Sequence, residues 1–211
     1  MHPQTATQTE AVDRQAFVYA MRTVASSVTV VTSQGELGEF GATVSAFSSV
    51  SADPPTVLVC LNAQSRIAKA VLAHQTFCVN VLPEDAQLIA DRFAGRHDQH
   101  IEHRFQNIEL GPACAQGPTL RGATTFACQL DQVVPSASHL IMIGRVVEVF
   151  NQAAHPLKPL AYHNGGYQKI EHNPLNELSS LQPSSHHQAT SSERANNADS
   201  QSLNLSTGSL S

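Results

Sequence analysis

Apolar positions near the start of the chain recur at helical spacing. Val12, Ala16, Phe17, Ala20, Met21 and Val24 share one face, which predicts an amphipathic helix over residues 11–25. The pattern then changes to β. Val28 to Thr32 is β-branched and predicts a strand, and Gln34 to Glu39, with two glycines, predicts a turn. Gly41 to Pro55 begins as an alternating strand, becomes crowded with small hydroxyl residues and stops at Pro54-Pro55. Thr56 to Leu61 reads as a third strand. Strands joined this briefly run antiparallel.

Further along, Ser65 caps a short helix through Ala73, with Ile67, Ala70 and Val71 on one face. Thr76 to Leu82 is again a strand. Pro83, followed by Glu84 and Asp85, suits the first turn of a helix that ends at Gly95. Residues 96–118 are polar and predict a long loop. Gly122 to Val133 and Leu140 to Phe150 predict a long hairpin around Pro135-Ser136-Ala137-Ser138, and Leu160 to Ile170 predicts a last strand. Strands outnumber helices, so the expected fold is mainly β with flanking α: a closed or split antiparallel β-barrel. A doubly wound sheet fits poorly, because regular helical crossovers are missing.

Composition divides the chain. Glu171 to Ser211 holds eleven serines and no aromatic residue. Such a segment buries too little apolar surface to offset its ordering entropy. The expected organisation is a folded domain at 11–170 and a disordered tail at 171–211. Hydrophobic residues make up 41% of the whole, enough for a core. A formal charge of −5 with twelve Lys and Arg gives no electrostatic footprint for nucleic acid. The apolar runs are strand-sized, which predicts no membrane span. Met1 to Glu10 lacks an apolar signal core, which predicts a cytoplasmic protein. The four cysteines, at 60, 78, 114 and 128, have no CxxC spacing and read as reduced, buried thiols.

An ordered set of short motifs now stands out: Val28-Thr29-Val30-Val31-Thr32; Thr43 to Ser51 with Asp53-Pro54-Pro55; Ser65 at a helix start; Phe77 to Leu82; Phe93-Ala94-Gly95; His139; Gly144-Arg145-Val146; and Pro159 to Tyr162 before Gly166-Tyr167. Over residues 14–170 this set resembles the flavin reductase family, whose members adopt a flavin-binding split barrel. The resemblance implies reduction of FMN or FAD by NADH or NADPH, with the reduced flavin handed to a monooxygenase partner. It also implies a homodimer with flavin near the subunit interface. Two positions depart from the family pattern. Ser26-Ser27 replaces a glycine before the first strand, and Ala137-Ser138-His139 replaces Gly-Asp-His.

Hydride transfer needs stacking geometry more than acids or bases, so no catalytic residue is expected among the side chains. Under the resemblance, Thr43, Val44, Ser45 and Ala46 line the flavin edge, where backbone N–H groups stabilise charge on the reduced ring. The bland alternative is an edge strand facing water. Ser49, Val50 and Ser51 would hold the ribityl chain, beside Cys60, Leu61 and Asn62 at the end of the next strand. Ser65 and Arg66 offer a helix start and a fixed charge to a phosphate, or else a plain N-cap with a solvated arginine. Ala94 and Gly95 would approach the phosphate or the far part of the flavin, although Gly95 equally suits a helix C-cap. His139 would bond the nicotinamide nucleotide, or stand as a surface histidine at a turn. Tyr162, Gly166 and Tyr167 would close the same pocket, or simply pack at a strand end. His97, His100 and His103 give a metal reading only if their segment is helical, which its composition disfavours, so no metal is expected. Two rivals to a reductase are a non-enzymatic flavin carrier or redox sensor, suggested by the absent acid before His139, and a metal-dependent hydrolase.

Overall fold

The computed structural model of the chain describes residues 12–36, 38–96, 103–151 and 158–171. Helix α1 (Arg14–Met21) leads to a two-residue strand β1 (Ser26–Ser27). Strands β2 (Thr29–Gly35), β3 (Gly38–Val44), β4 (Phe47–Ala52) and β5 (Pro55–Asn62) precede α2 (Arg66–His74). Strand β6 (Thr76–Val81), α3 (Gln87–Phe93), β7 (Thr124–Ser136) and β8 (His139–Asn151) follow, and β9 (Leu160–His163) and β10 (Gly166–Lys169) close the described chain.

Seven strands form one antiparallel sheet in the order β3-β2-β6-β7-β8-β5-β4. Its two edges, β3 and β4, are consecutive in the chain, separated only by Ser45-Ala46. The sheet therefore curls until its edges meet at one crossing, but among the described residues no ladder joins them. This is the split barrel expected from the sequence. A smaller sheet, β1-β9-β10, continues from it through Val28 N–H to Leu160 O and Leu82 N–H to Val28 O.

Alternation along the strands sorts side chains into two cores. Val31, Val59, Leu61, Phe77, Val79 and Met142 fill the barrel, with Ile67, Ala68 and Val71 of α2 closing it. On the other side, Val30, Leu82, Phe93, Phe105, Leu120 and Leu160 pack beneath α3 and the segment around Phe105. Strands β2 and β6 are covered on both faces, so Thr29, Thr32, Ser33 and Asn80 are buried alongside their apolar residues.

Asn80, fully buried on β6, fastens this second layer. Its amide nitrogen donates to Val30 O and Thr32 Oγ1, and its Oδ1 accepts from Leu120 N and Thr125 Oγ1. All four hydrogen-bonding positions of the amide are thus used. Thr32 Oγ1 in turn donates to Pro118 O at 2.6 Å.

Four expectations need correction. Residues 83–86 are a turn rather than the first turn of a helix, and α3 starts at Gln87. That turn is anchored by Pro83, bridged to Pro159, and by Glu84 N–H donating to Lys158 O. Residues 160–170 form a hairpin instead of one strand. Asn164 (φ 50°) and Gly165 (φ 79°) take the positive-φ turn that suits an Asn-Gly pair between strands. The stretch Gly41 to Pro55, read as one strand, is two strands on opposite sheet edges. α1 is also shorter than residues 11–25, and none of its residues is buried. The tail at 172–211 and the histidines at 97 and 100 lie outside the described residues.

Candidate functional site

The crossing between the sheet edges is built by register. β3 pairs with β2 on one side only, and β4 pairs with β5 on one side only. Thr43 does not face water: its hydroxyl donates to Ala90 O of α3 at 2.7 Å. Val44 packs against the barrel core, and its carbonyl accepts from Thr29 Oγ1. Ser45 and Ala46 are exposed. Ala46 O accepts from Cys60 N at 3.1 Å, whereas the N–H groups of Ser45 and Ala46 have no partner among the described residues. Two adjacent donors thus stand open at the seam, which is how a strand edge presents itself to a ligand.

Strand β5 leads from the seam to His139. Two residues after Cys60, Asn62 pairs with His139 across the β5–β8 ladder. Ala46 and His139 therefore flank the same end of β5 on its opposite edges, two strand spacings across and two residues along. His139 follows the Ala137-Ser138 turn, where Ala137 takes φ 50°. Ser138 O accepts from Ala63 N at 3.0 Å, and Ser138 Oγ lies 3.0 Å from His139 Nδ1. The serine that replaces the acid of the family pattern thus engages the histidine ring itself.

The start of α2 adjoins this turn. Asn62 Oδ1 accepts from Gln64 N, Asn62 O accepts from Ser65 N and Ser65 Oγ, and Ser65 Oγ caps the helix by accepting from Ala68 N. The N–H groups of Arg66 and Ile67 remain at the open helix end with no partner among the described residues. The Arg66 guanidinium lies 5.1 Å from the centroid of the Phe40 ring, over β3. Leu61 is 2% exposed, so only its backbone is available at the site. On β4 the register slips between Ser49 and Ser51, which leaves Val50 bulged out and half exposed. Ser51 Oγ is occupied with Asp53, accepting from its N–H and donating to its carbonyl.

A separate cluster closes the end of α3. Ala94 is the C-cap, Gly95 takes φ 79°, and Gly95 N and Arg96 N donate to Arg92 O and Asp91 O. These two bonds form a Schellman ending. Tyr167 OH donates to Asp91 Oδ1 at 2.9 Å, Arg96 pairs with the same oxygen at 3.0 Å, and Tyr162 meets the Tyr167 ring edge-on. Burial, and then the Asp91 carboxylate, push the Tyr167 phenol up to about 12. Among the described residues Tyr167 thus bonds α3, and Tyr162 packs against Tyr167, rather than reaching the turn that carries His139. Arg104 links α3 to the seam strand by donating to Gly41 O and Phe93 O.

Some participants escaped the reading of the sequence. Ser138 has a signal beside it, being next to a candidate histidine at a turn. Asp91 and Phe40 have none, since only the fold brings them to Tyr167 and Arg66. Among the described residues no group of three or more His, Cys, Asp or Glu is placed to hold a metal. The one described member of the histidine run, His103, accepts at Nδ1 from Phe105 N. No helix among the described residues is long and apolar enough to cross a membrane.

An open seven-stranded antiparallel sheet, with no ladder joining its two edges among the described residues, defines a split barrel. The chain belongs to the flavin reductase-like family, whose domain model, described as flavin reductase like domain, matches residues 21–171. It is 35% identical over 138 residues to an FMN reductase (NADH), RutF, of Cronobacter sakazakii, covering 65% of this chain and 82% of that one. It is 34% identical over 158 residues to the reductase component of an FADH(2)-dependent resorcinol hydroxylase of a Rhizobium species, covering 72% of this chain and 85% of the relative. Among solved structures it is similar to BorF, the flavin reductase component of a bacterial two-component tryptophan halogenase. That match has a TM-score of 0.68 and 29% identity, and covers 76% of this chain and all of BorF.

Proposed function

We propose that this protein is a flavin reductase that takes hydride from NADH, passes it to FMN or FAD, and supplies the reduced flavin to a partner oxygenase. The observation that carries this reading is the pair of N–H groups at Ser45 and Ala46, without a partner among the described residues and at the same end of β5 as His139. Donors fixed in a backbone turn can bond the rim of a flat ring and favour negative charge on it without reorganising. Small side chains at 45 and 46 let the backbone come close. The open N–H groups of Arg66 and Ile67 suit the flavin phosphate, helped by the Arg66 charge. His139, with Nδ1 held by Ser138, presents its other ring nitrogen to the nicotinamide nucleotide. Flavin itself supplies the redox chemistry once bound, so the chain needs only to position and exclude.

The choice of NADH follows the relatives' names, and those names cover both FMN and FAD. The activity is assigned to residues 11–170 and none of it to 171–211. A homodimer fits the exposed apolar residues of α1, and a cytoplasmic location fits a source of NADH.

The direct test mixes the purified protein with FMN or FAD and NADH and follows the nicotinamide absorbance. Oxidation well above the protein-free rate is expected. Flavin binding without such oxidation would leave the carrier reading in its place. His139→Ala should raise KM for NADH at least tenfold while flavin affinity stays within about twofold, as for loss of one charged or polar contact. Equal loss of both would make His139 a structural residue.

A further inference from the structure

Beneath the segment that Asn80 fastens lies a pair of thiols that the flavin site does not use. Cys78 sits two residues before Asn80, on the same face of β6, and is fully buried. Cys114 lies in the covering segment and is partly exposed. Their sulfurs are 3.5 Å apart. Cys78 Sγ also reaches Gly117 O, and Cys114 Sγ reaches Gln116 Oε1. The segment is clamped on both sides of this contact, by Gln34 Nε2 to Cys114 O and by Thr32 Oγ1 to Pro118 O. The sulfurs are therefore held beside each other by the fold, about 1.5 Å beyond disulfide bonding distance.

We propose that Cys78 and Cys114 are a peroxide-responsive thiol pair that closes to a disulfide between β6 and the covering segment. The chemistry balances with hydrogen peroxide as oxidant. The Cys114 thiolate attacks one peroxide oxygen, the O–O bond breaks, and hydroxide leaves. Cys114 is then a sulfenic acid. The Cys78 sulfur attacks the Cys114 sulfur, the S–O bond breaks, and the Cys78 proton leaves with the departing hydroxide as water. Two thiols have lost two electrons and peroxide has become two waters. The order of attack follows exposure. Burial, followed by the proximity of Cys114, pushes the Cys78 thiol far above its ordinary range, so Cys78 is a resolving group and not the first site. The remaining buried thiol, Cys128, is pushed up to about 12 by burial and then by Cys114, and its sulfur contacts Phe126 O instead. Reduced flavin left without an acceptor reduces dioxygen and yields peroxide, so an oxidant arises where the proposed activity runs uncoupled. The thiol pair itself does not depend on that activity.

The test treats the full chain with hydrogen peroxide, without flavin or NADH, and maps peptides under non-reducing conditions. A linked pair of peptides containing Cys78 and Cys114 is expected, lighter by two hydrogens and cleaved by a reductant. Cys78→Ser should stop the reaction one step earlier, leaving a sulfenic acid at Cys114 that dimedone captures. Cys114→Ser should give neither the link nor a dimedone adduct at Cys78. A link from Cys78 to Cys128, an adduct first formed at Cys78, or unmodified Cys114 in the folded Cys78→Ser protein would each overturn the proposal. Circular dichroism of the variants confirms that they remain folded when scored.

Discussion

At the scale of single residues, polar groups that look ordinary in the sequence hold the layers together. Asn80 sits in the run Phe77-Cys78-Val79-Asn80-Val81, where an apolar residue would serve the pattern as well. It is kept because its amide ties Val30, Thr32, Leu120 and Thr125 in a buried site. Asn80→Ala removes the acceptor from the buried Thr125 hydroxyl and frees other buried groups, and should cost about 3 kcal/mol in urea unfolding. Tyr167 makes a different prediction. In the unfolded chain it ionises near its ordinary value of 10.0, whereas the fold holds its proton to about 12, through burial first and then Asp91. Below pH 10 both states keep the proton and the contribution is complete. Between pH 10 and about 12 the unfolded state sheds its proton first, so stability falls as pH rises. Melting temperature should therefore drop more steeply across that window in the wild type than in Tyr167→Phe. Parallel curves would show that the Asp91 contact does not discriminate the two protonation states.

At the scale of elements, close packing sets what each strand tolerates. Gly144 of β8 lies over the Phe77 ring, and a Cβ there would stand 2.5 Å from that ring and 3.0 Å from Cys128 Cβ. Phe77 is fully buried and has nowhere to retreat. Gly144→Ala should cost about 2 kcal/mol of stability by overpacking, measured by denaturant unfolding with an unchanged slope. The turns follow the same logic. Asn164-Gly165 reverses the chain because both residues adopt positive φ, and that single turn makes two strands of what reads as one. Helix α2 matches its sequence reading because every signal is local: a serine cap, an apolar stripe and a left-handed residue, Gln75, at the end. Helix α3 does not, because the turn at 83–86 is anchored by Lys158 and Pro159, far away in sequence.

At the scale of the whole molecule, α1 carries its apolar residues on the outside. Phe17 is 55% exposed and Tyr19 74%, with Val18 and Met21 also open. An isolated helix of this length is marginal in water, so it needs a covering surface. The proposed homodimer supplies one. Phe17→Asp with Tyr19→Asp should shift the protein toward monomer in sedimentation velocity while its β-type circular dichroism persists. An unchanged sedimentation coefficient would place the dimer contact elsewhere or remove it.

The sequence by itself determined the mainly β character, the helix at Ser65 and the long hairpin that turns just before His139, and it marked the stretch around Thr43 to Ser51 as a candidate ligand edge. These are set by periodicity, capping and turn residues, all of which act over a few positions. The tertiary structure decided the rest. It put the two halves of that stretch on opposite edges of one sheet, spent the Thr43 hydroxyl on α3, and left the Ser45 and Ala46 N–H groups without a partner among the described residues. It also brought Phe40 under Arg66, Asp91 to Tyr167 and Cys114 to Cys78. Each is a long-range pairing fixed by how a twisted seven-stranded sheet closes, and sheet closure depends on the register of every strand at once.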